Sequence, residues 1–119
     1  MGQLFMVRDD LENIPVRSLP EGCDIHTLRP GEEAAWCWIC EGAFGRPFDF
    51  DAEMRASECY SPERIFIAQQ HSQPTATASA WHDPQLGPHT GVLHWVATHP
   101  TAVGNGLGRA VIAAALNKL

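Results

Sequence analysis

A chain of 119 residues, 45% hydrophobic and 18% charged, carries enough apolar side chain for one core and too little charge to stay unfolded. It therefore reads as a single domain over residues 1–119, with 1–21 as a lead-in. A formal net charge of -6 argues against a nucleic-acid partner, which would favour a basic stripe. No run approaches the roughly 18 consecutive apolar residues of a membrane span, and Met1 is not followed by a basic segment and an apolar core. Met1-Gly2 suits myristoylation, yet Met6 stands where Ser or Thr is wanted. A cytoplasmic protein is expected, and in that compartment Cys23, Cys37, Cys40 and Cys59 are reduced thiols.

Cys23 to Leu28 alternates in polarity and runs into Arg29-Pro30-Gly31, a strand closed by a turn. Glu32 and Glu33 then open a helix, because acidic side chains suit a first turn. The spacing of Ala35, Trp38, Ile39, Gly42 and Ala43 predicts its core-facing stripe, and Gly45-Arg46-Pro47 ends it. A second short helix is expected from Asp51 to Cys59, capped by Asp49 or Asp51, with a break at Ser61-Pro62.

Two strands follow, Arg64 to Ala68 and Thr75 to Trp81, joined by a hairpin loop over Gln70–Pro74. Residues 82–90 form a further loop, with Pro84, Gly87 and Pro88. Gly91 to Thr98 is the next strand, and Leu107 to Leu119 the last helix. Two hairpin-type connections and then a strand-to-helix crossover predict an α+β fold, with helices packed on a mixed, mostly antiparallel sheet. A crossover helix normally delivers the chain to a parallel strand, and none remains after Leu119.

Between that last strand and helix lies the most informative segment, Trp95-Val96-Ala97-Thr98-His99-Pro100 followed by Gly104-Asn105-Gly106-Leu107-Gly108-Arg109-Ala110. A glycine-rich turn at a helix start presents bare N–H groups at the positive end of the helix dipole, which suits phosphate. The alternative is a tight strand-to-helix turn and nothing more.

The segment resembles the acetyl-CoA motif of the GNAT N-acetyltransferase superfamily, whose signature is Gln or Arg, two residues, Gly, one residue, then Gly or Ala. The start of the chain fits as well, with Leu19-Pro20-Glu21-Gly22 before the first strand and Ala43-Phe44-Gly45 closing the first helix. The resemblance runs from the family's first strand through its third helix and lacks the C-terminal strands. It implies that Val96, Ala97 and Thr98 contact the pantetheine arm of acetyl-CoA as co-substrate. It also implies that Val103, Gly104, Asn105, Gly106, Leu107, Gly108 and Arg109 surround the pyrophosphate. Val103 departs from the pattern, standing where the family has Gln or Arg; Arg109 is either a compensation or a solvated side chain. The one tyrosine, Tyr60, lies far upstream of where the family keeps the acid that protonates the leaving thiolate, so no general acid is assigned.

His94 lies on the same strand where the family often carries a base, and a neutral imidazole can take the proton of an ammonium substrate. The alternation Leu93-His94-Trp95-Val96 equally allows a satisfied, partly buried polar group. His99, before Pro100, reads as structural. Cys37 and Cys40 resemble a thiol redox pair in spacing, but they fall inside the helix and lack further ligands for zinc, so structural cysteines and no metal are expected. Glu32, Glu33, Asp49, Asp51 and Glu53 either border a basic acceptor or act as caps, while Trp38, Trp81 and Trp95 read as core.

The resulting expectation is an acyltransferase that moves acetyl to a small-molecule or peptide amine. The alternative is a non-catalytic CoA-binding or interaction module. An open sheet edge beside Gly91–Thr98 further predicts a homodimer.

Overall fold

The computed structural model describes residue 19 and residues 21–57, 60–82, 91–102 and 106–118. Most of the lead-in, most of the 82–90 loop and residues 103–105 of the glycine turn lie outside the described residues. Strands β1 (Cys23–Thr27), β2 (Ile65–Gln70), β3 (Gln73–His82) and β4 (Gly91–Thr98) form one sheet in the order β1-β2-β3-β4. All three pairings are antiparallel, in keeping with the mostly antiparallel sheet flanked by helices that the sequence predicts.

Helix α1 (Glu33–Phe44) packs on β3 and β4, and helix α2 (Leu107–Lys118) packs across β2, β3 and β4. They take opposite faces, because side chains alternate along a strand. Ile65, Ile67 and Trp81 join Trp36, Ile39 and Cys40 in the core beneath α1. Ala68, Ala76, Ala78 and Ala80 face Leu107, Val111 and Ala115 of α2, a helical spacing of four over a floor of small residues.

The first helix turns a different face inward than its apolar spacing predicts. Trp36, Ile39 and Cys40 are buried, whereas Trp38 and Ala43 are exposed. The cause is visible in the segment, which is apolar nearly all round from Ala34 to Phe44. Periodicity then selects no face, and the volume that fits under the sheet decides. Trp36 is enclosed edge-on by Phe48 at 5.7 Å, Phe50 at 5.3 Å and Trp95 at 6.1 Å between ring centroids.

The β2–β3 connection is also tighter than the expected five-residue loop. Gln70 pairs with Gln73, so only His71 and Ser72 turn the chain, with φ of 49° and 68°. Two positive φ values in a two-residue turn match the twist of the flanking strands. Pro74 is tolerated where the register slips between Ala68 and Gln69. The second helix is shorter than the predicted Asp51–Cys59 and is one π-helical turn, Asp51–Arg55, closed by Ala56 N–H donating to Asp51 O at 3.0 Å.

Histidine 26 ties β1 to the start of α1. Its Nδ1 lies 3.1 Å from Asp24 Oδ2 and its Nε2 2.9 Å from Glu32 Oε2. Arg29 N–H donates to Glu32 Oε1 at 2.7 Å, so the turn before α1 is held from both sides. The Gln69 amide, and then His26, hold the Asp24 carboxyl below its usual range.

Candidate functional site

The site is built on an irregularity in β4. Ser79 pairs with His94 and Thr77 with Ala97, which leaves Ala78 facing both Trp95 and Val96. This is a β-bulge, and Trp95 adopts it with φ of 50°. Left-handed backbone is unusual for a bulky residue and costs on the order of 1–3 kcal/mol, so surrounding packing must hold it. The ring of Trp95 supplies that packing against Trp36, Phe44 and Phe48, the last at 5.2 Å.

The bulge changes which side chains share a face. Leu93 packs beneath α2, whereas His94, Trp95 and Ala97 all contact residues of the α1 side. Strict alternation along β4 would place His94 and Trp95 on opposite faces. His94 sits between Trp81, 5.9 Å away, and Trp95, 4.9 Å away. Burial pushes its pKa below the ordinary 6.5, and the nearby Glu53 carboxylate offsets part of that. The ring is therefore neutral at pH 7, the form a proton acceptor needs.

The predicted donor residues divide by position. Val96 is 37% exposed on the open edge of β4, Ala97 is buried and Thr98 is half-buried. Among the described residues no strand lies beside the outer edge of β4. Val103, Gly104 and Asn105 lie outside the described residues. Gly106, Leu107, Gly108 and Arg109 form the start of α2, where the Leu107 side chain is fully buried under the sheet and anchors the helix. Arg109 is exposed. Gly108 is a close approach, since a Cβ there would stand 2.8 Å from Thr98 Oγ1. The end of β4 and the first turn of α2 thus lie against each other, and a side chain at residue 108 would press on Thr98.

The acidic residues expected either to border an acceptor or to cap are occupied locally. Glu32 is taken by His26, Glu33 pairs with Arg55 at 3.1 Å, and Asp51 also pairs with Arg55. Asp49 accepts from Asp51 N–H at 3.1 Å. Glu53 pairs with Arg46 at 3.2 Å, and the Arg46 guanidinium lies 3.9 Å above Phe48. Of these pairs, Arg46–Glu53 is the one beside Trp95 and His94. Sequence reading did not single out Arg46, and no spacing rule would have found it.

Cys37 and Cys40 are both pushed up by desolvation, Cys40 to about 12, which suits inert helix thiols. Among the described residues no group of three or more metal-ligating side chains converges, and no helix is long and apolar enough to cross a membrane. Trp36 Nε1, Trp95 Nε1 and Ser79 Oγ are buried without a hydrogen-bond partner among the described residues. Trp36 and Trp95 are in contact with each other, and Ser79 lies across from His94.

This architecture is shared with solved acetyltransferases. The chain superposes on the ribosomal-protein-S18-alanine N-acetyltransferase from Escherichia coli with a TM-score of 0.62 at 21% identity, covering 81% of this chain and 58% of that one. It superposes on a GCN5-related N-acetyltransferase from Sphaerobacter thermophilus with a TM-score of 0.65 at 22% identity, covering 87% of this chain and 34% of that one. Residues 28–119 match the acetyltransferase (GNAT) family, and the chain belongs to that family.

Similar curated proteins are the mycothiol acetyltransferases of two Streptomyces species. That of Streptomyces bingchenggensis is 33% identical over 115 residues, covering 90% of this chain and 37% of the relative. That of Streptomyces griseus is 27% identical over 110 residues, covering 85% and 35%. The chain thus spans little more than a third of the length of these relatives.

Proposed function

We propose that the chain binds acetyl-CoA at the end of β4 and the start of α2 and serves acetyl transfer to a primary amine. The observation that carries this reading is the close approach of Gly108 to Thr98 beside the open, bulged edge of β4. When bound, the donor supplies an activated acetyl thioester. The outward N–H and C=O groups of β4 suit the amide groups of a pantetheine arm, and N–H groups aimed at a developing oxyanion stabilise it. The N-terminal end of α2 favours the negative pyrophosphate.

On the α1 side of the strand, neutral His94 accepts the proton that an ammonium acceptor must lose before its nitrogen can attack a carbonyl carbon. Trp81 and Trp95 flank that ring, and the Glu53 carboxylate lies near enough to act on it. As the C–N bond forms the C–S bond breaks, the attacking nitrogen sheds its remaining extra proton, and the departing CoA thiolate takes up a proton to leave as the thiol.

In this reading the open side of β4 takes its neighbouring strand from a second copy of the chain. Sedimentation at micromolar concentration is expected to show a dimer, and a monodisperse monomer would contradict that part. Titration with acetyl-CoA, followed by thiol release over a panel of amines, tests the rest. Binding with release supports an enzyme, binding without release favours a CoA-binding module, and no binding overturns both.

A further inference from the structure

His99 lies at the end of β4, and the proposed reaction leaves it without a task. Its backbone N–H donates to Thr75 O at 2.8 Å, which fixes the residue to β3 just past the end of β4. Its ring lies flat on Trp38 of α1, with centroids 3.6 Å apart and planes 6° from parallel. The same ring fills a notch in α1, since a Cβ built on Gly42 would collide with Cδ2 and stand 2.6 Å from Nε2. Trp38 and Gly42 are four residues apart and so lie on one helical face. At its other side Nδ1 accepts the Thr101 N–H at 3.3 Å and lies 2.9 Å from the Thr101 hydroxyl.

We propose that His99 is a positioning residue that locks the start of the donor turn to the acceptor-side helix α1. Two locks flank the end of β4, one per face: Thr98 against α2 at Gly108, and His99 against α1 at Gly42. Nδ1 holds the tight turn Pro100–Ala102, and the stack on Trp38 holds that turn to α1. The inference rests on the donor site proposed above, and it adds that a change on α1 alters donor affinity through this ring.

The test is calorimetric titration of CoA into the full chain and three variants, with thermal midpoints recorded for each. In Gly42→Ala the new methyl group expels the ring while improving helix propensity. CoA affinity is therefore expected to fall about tenfold, the scale of a lost hydrogen bond and its packing, with little loss of thermal midpoint. In His99→Asn the side-chain oxygen keeps an acceptor for Thr101 but leaves the notch empty, and a fall of about threefold is expected. The double variant is then expected to bind as His99→Asn does, because the methyl group has nothing left to displace.

Equal CoA affinity in wild type and Gly42→Ala overturns the proposal. So does an equal Gly42→Ala penalty in both backgrounds, which would mark the glycine as merely structural. Should His99→Asn fail to fold, the Gly42→Ala comparison alone decides. A wild-type chain that binds no CoA removes the donor site itself and this inference with it.

Discussion

Replacing Trp36 by alanine is expected to destabilise the chain by about 3–5 kcal/mol, the range for emptying a buried aromatic site. Natural domains hold only about 5–15 kcal/mol, so the variant is expected to be marginal at 37 °C. The size of the effect follows from its position. Trp36 is fully buried, meets three aromatic rings edge-on, and closes the core beneath α1. It also walls in Trp95, whose left-handed backbone forms the bulge. Trp36→Phe keeps an aromatic edge in place and is expected to lose much less. Urea unfolding of the three proteins is the measurement, and a loss below about 1 kcal/mol for Trp36→Ala would show that the aromatic cluster contributes little to the core.

Replacing His94 by glutamine is expected to lower kcat for amine acetylation about a hundredfold or more, the usual contribution of a positioned general base. KM for acetyl-CoA is expected to change little, because the ring lies on the α1 side rather than at the donor turn. The pH dependence has a definite sign. Burial depresses the His94 pKa below its ordinary 6.5, so the ring loses its proton at lower pH than a free imidazole does. Rates governed by this group therefore fall as pH drops through the depressed value, with the acid limb displaced below that of an ordinary histidine. The glutamine variant is expected to lose that acid limb.

Stability follows the same direction. The unfolded chain takes up the His94 proton more readily than the folded one, so this contribution is complete above pH 6.5 and is lost as pH falls below it. A glutamine variant with undiminished kcat and the wild-type pH profile would remove His94 from the reaction.

Much of the architecture was legible because it rests on short-range signals. Gly91–Thr98 and the helix from Leu107 follow from an apolar strand, a glycine-rich turn and a helix former's run. The order of the seven expected elements follows from the same punctuation, while the short turns Pro62–Arg64 and Pro100–Ala102 were not expected. The inward face of α1 was not legible, since a helix apolar on every side gives no period to read, and Trp36 wins by fit.

Nor could the two-residue turn at His71-Ser72 be read, because neither residue is the Gly or Asn that usually marks such a turn. The bulge at Trp95 was hidden for the same reason. A tryptophan at positive φ breaks the local rule, and only the surrounding rings of Trp36, Phe44 and Phe48 make it tolerable. Such violations concentrate where function needs them. Here the violation gathers His94 and Trp95 on one face of the strand. The pairing of His26 with Asp24 and Glu32, and of Arg46 with Glu53, depends on tertiary placement and left no trace in spacing.

The most direct test of the donor site is calorimetric titration of acetyl-CoA into the wild-type chain and into Gly108→Val. The wild type is expected to bind with a dissociation constant between about 1 μM and 1 mM, the span of ordinary substrate affinities. The valine is expected to abolish measurable binding, because its Cβ would press into Thr98 and part the end of β4 from α2. Absence of binding in the folded wild type, or equal affinity in a folded Gly108→Val variant, would contradict a donor site at this position.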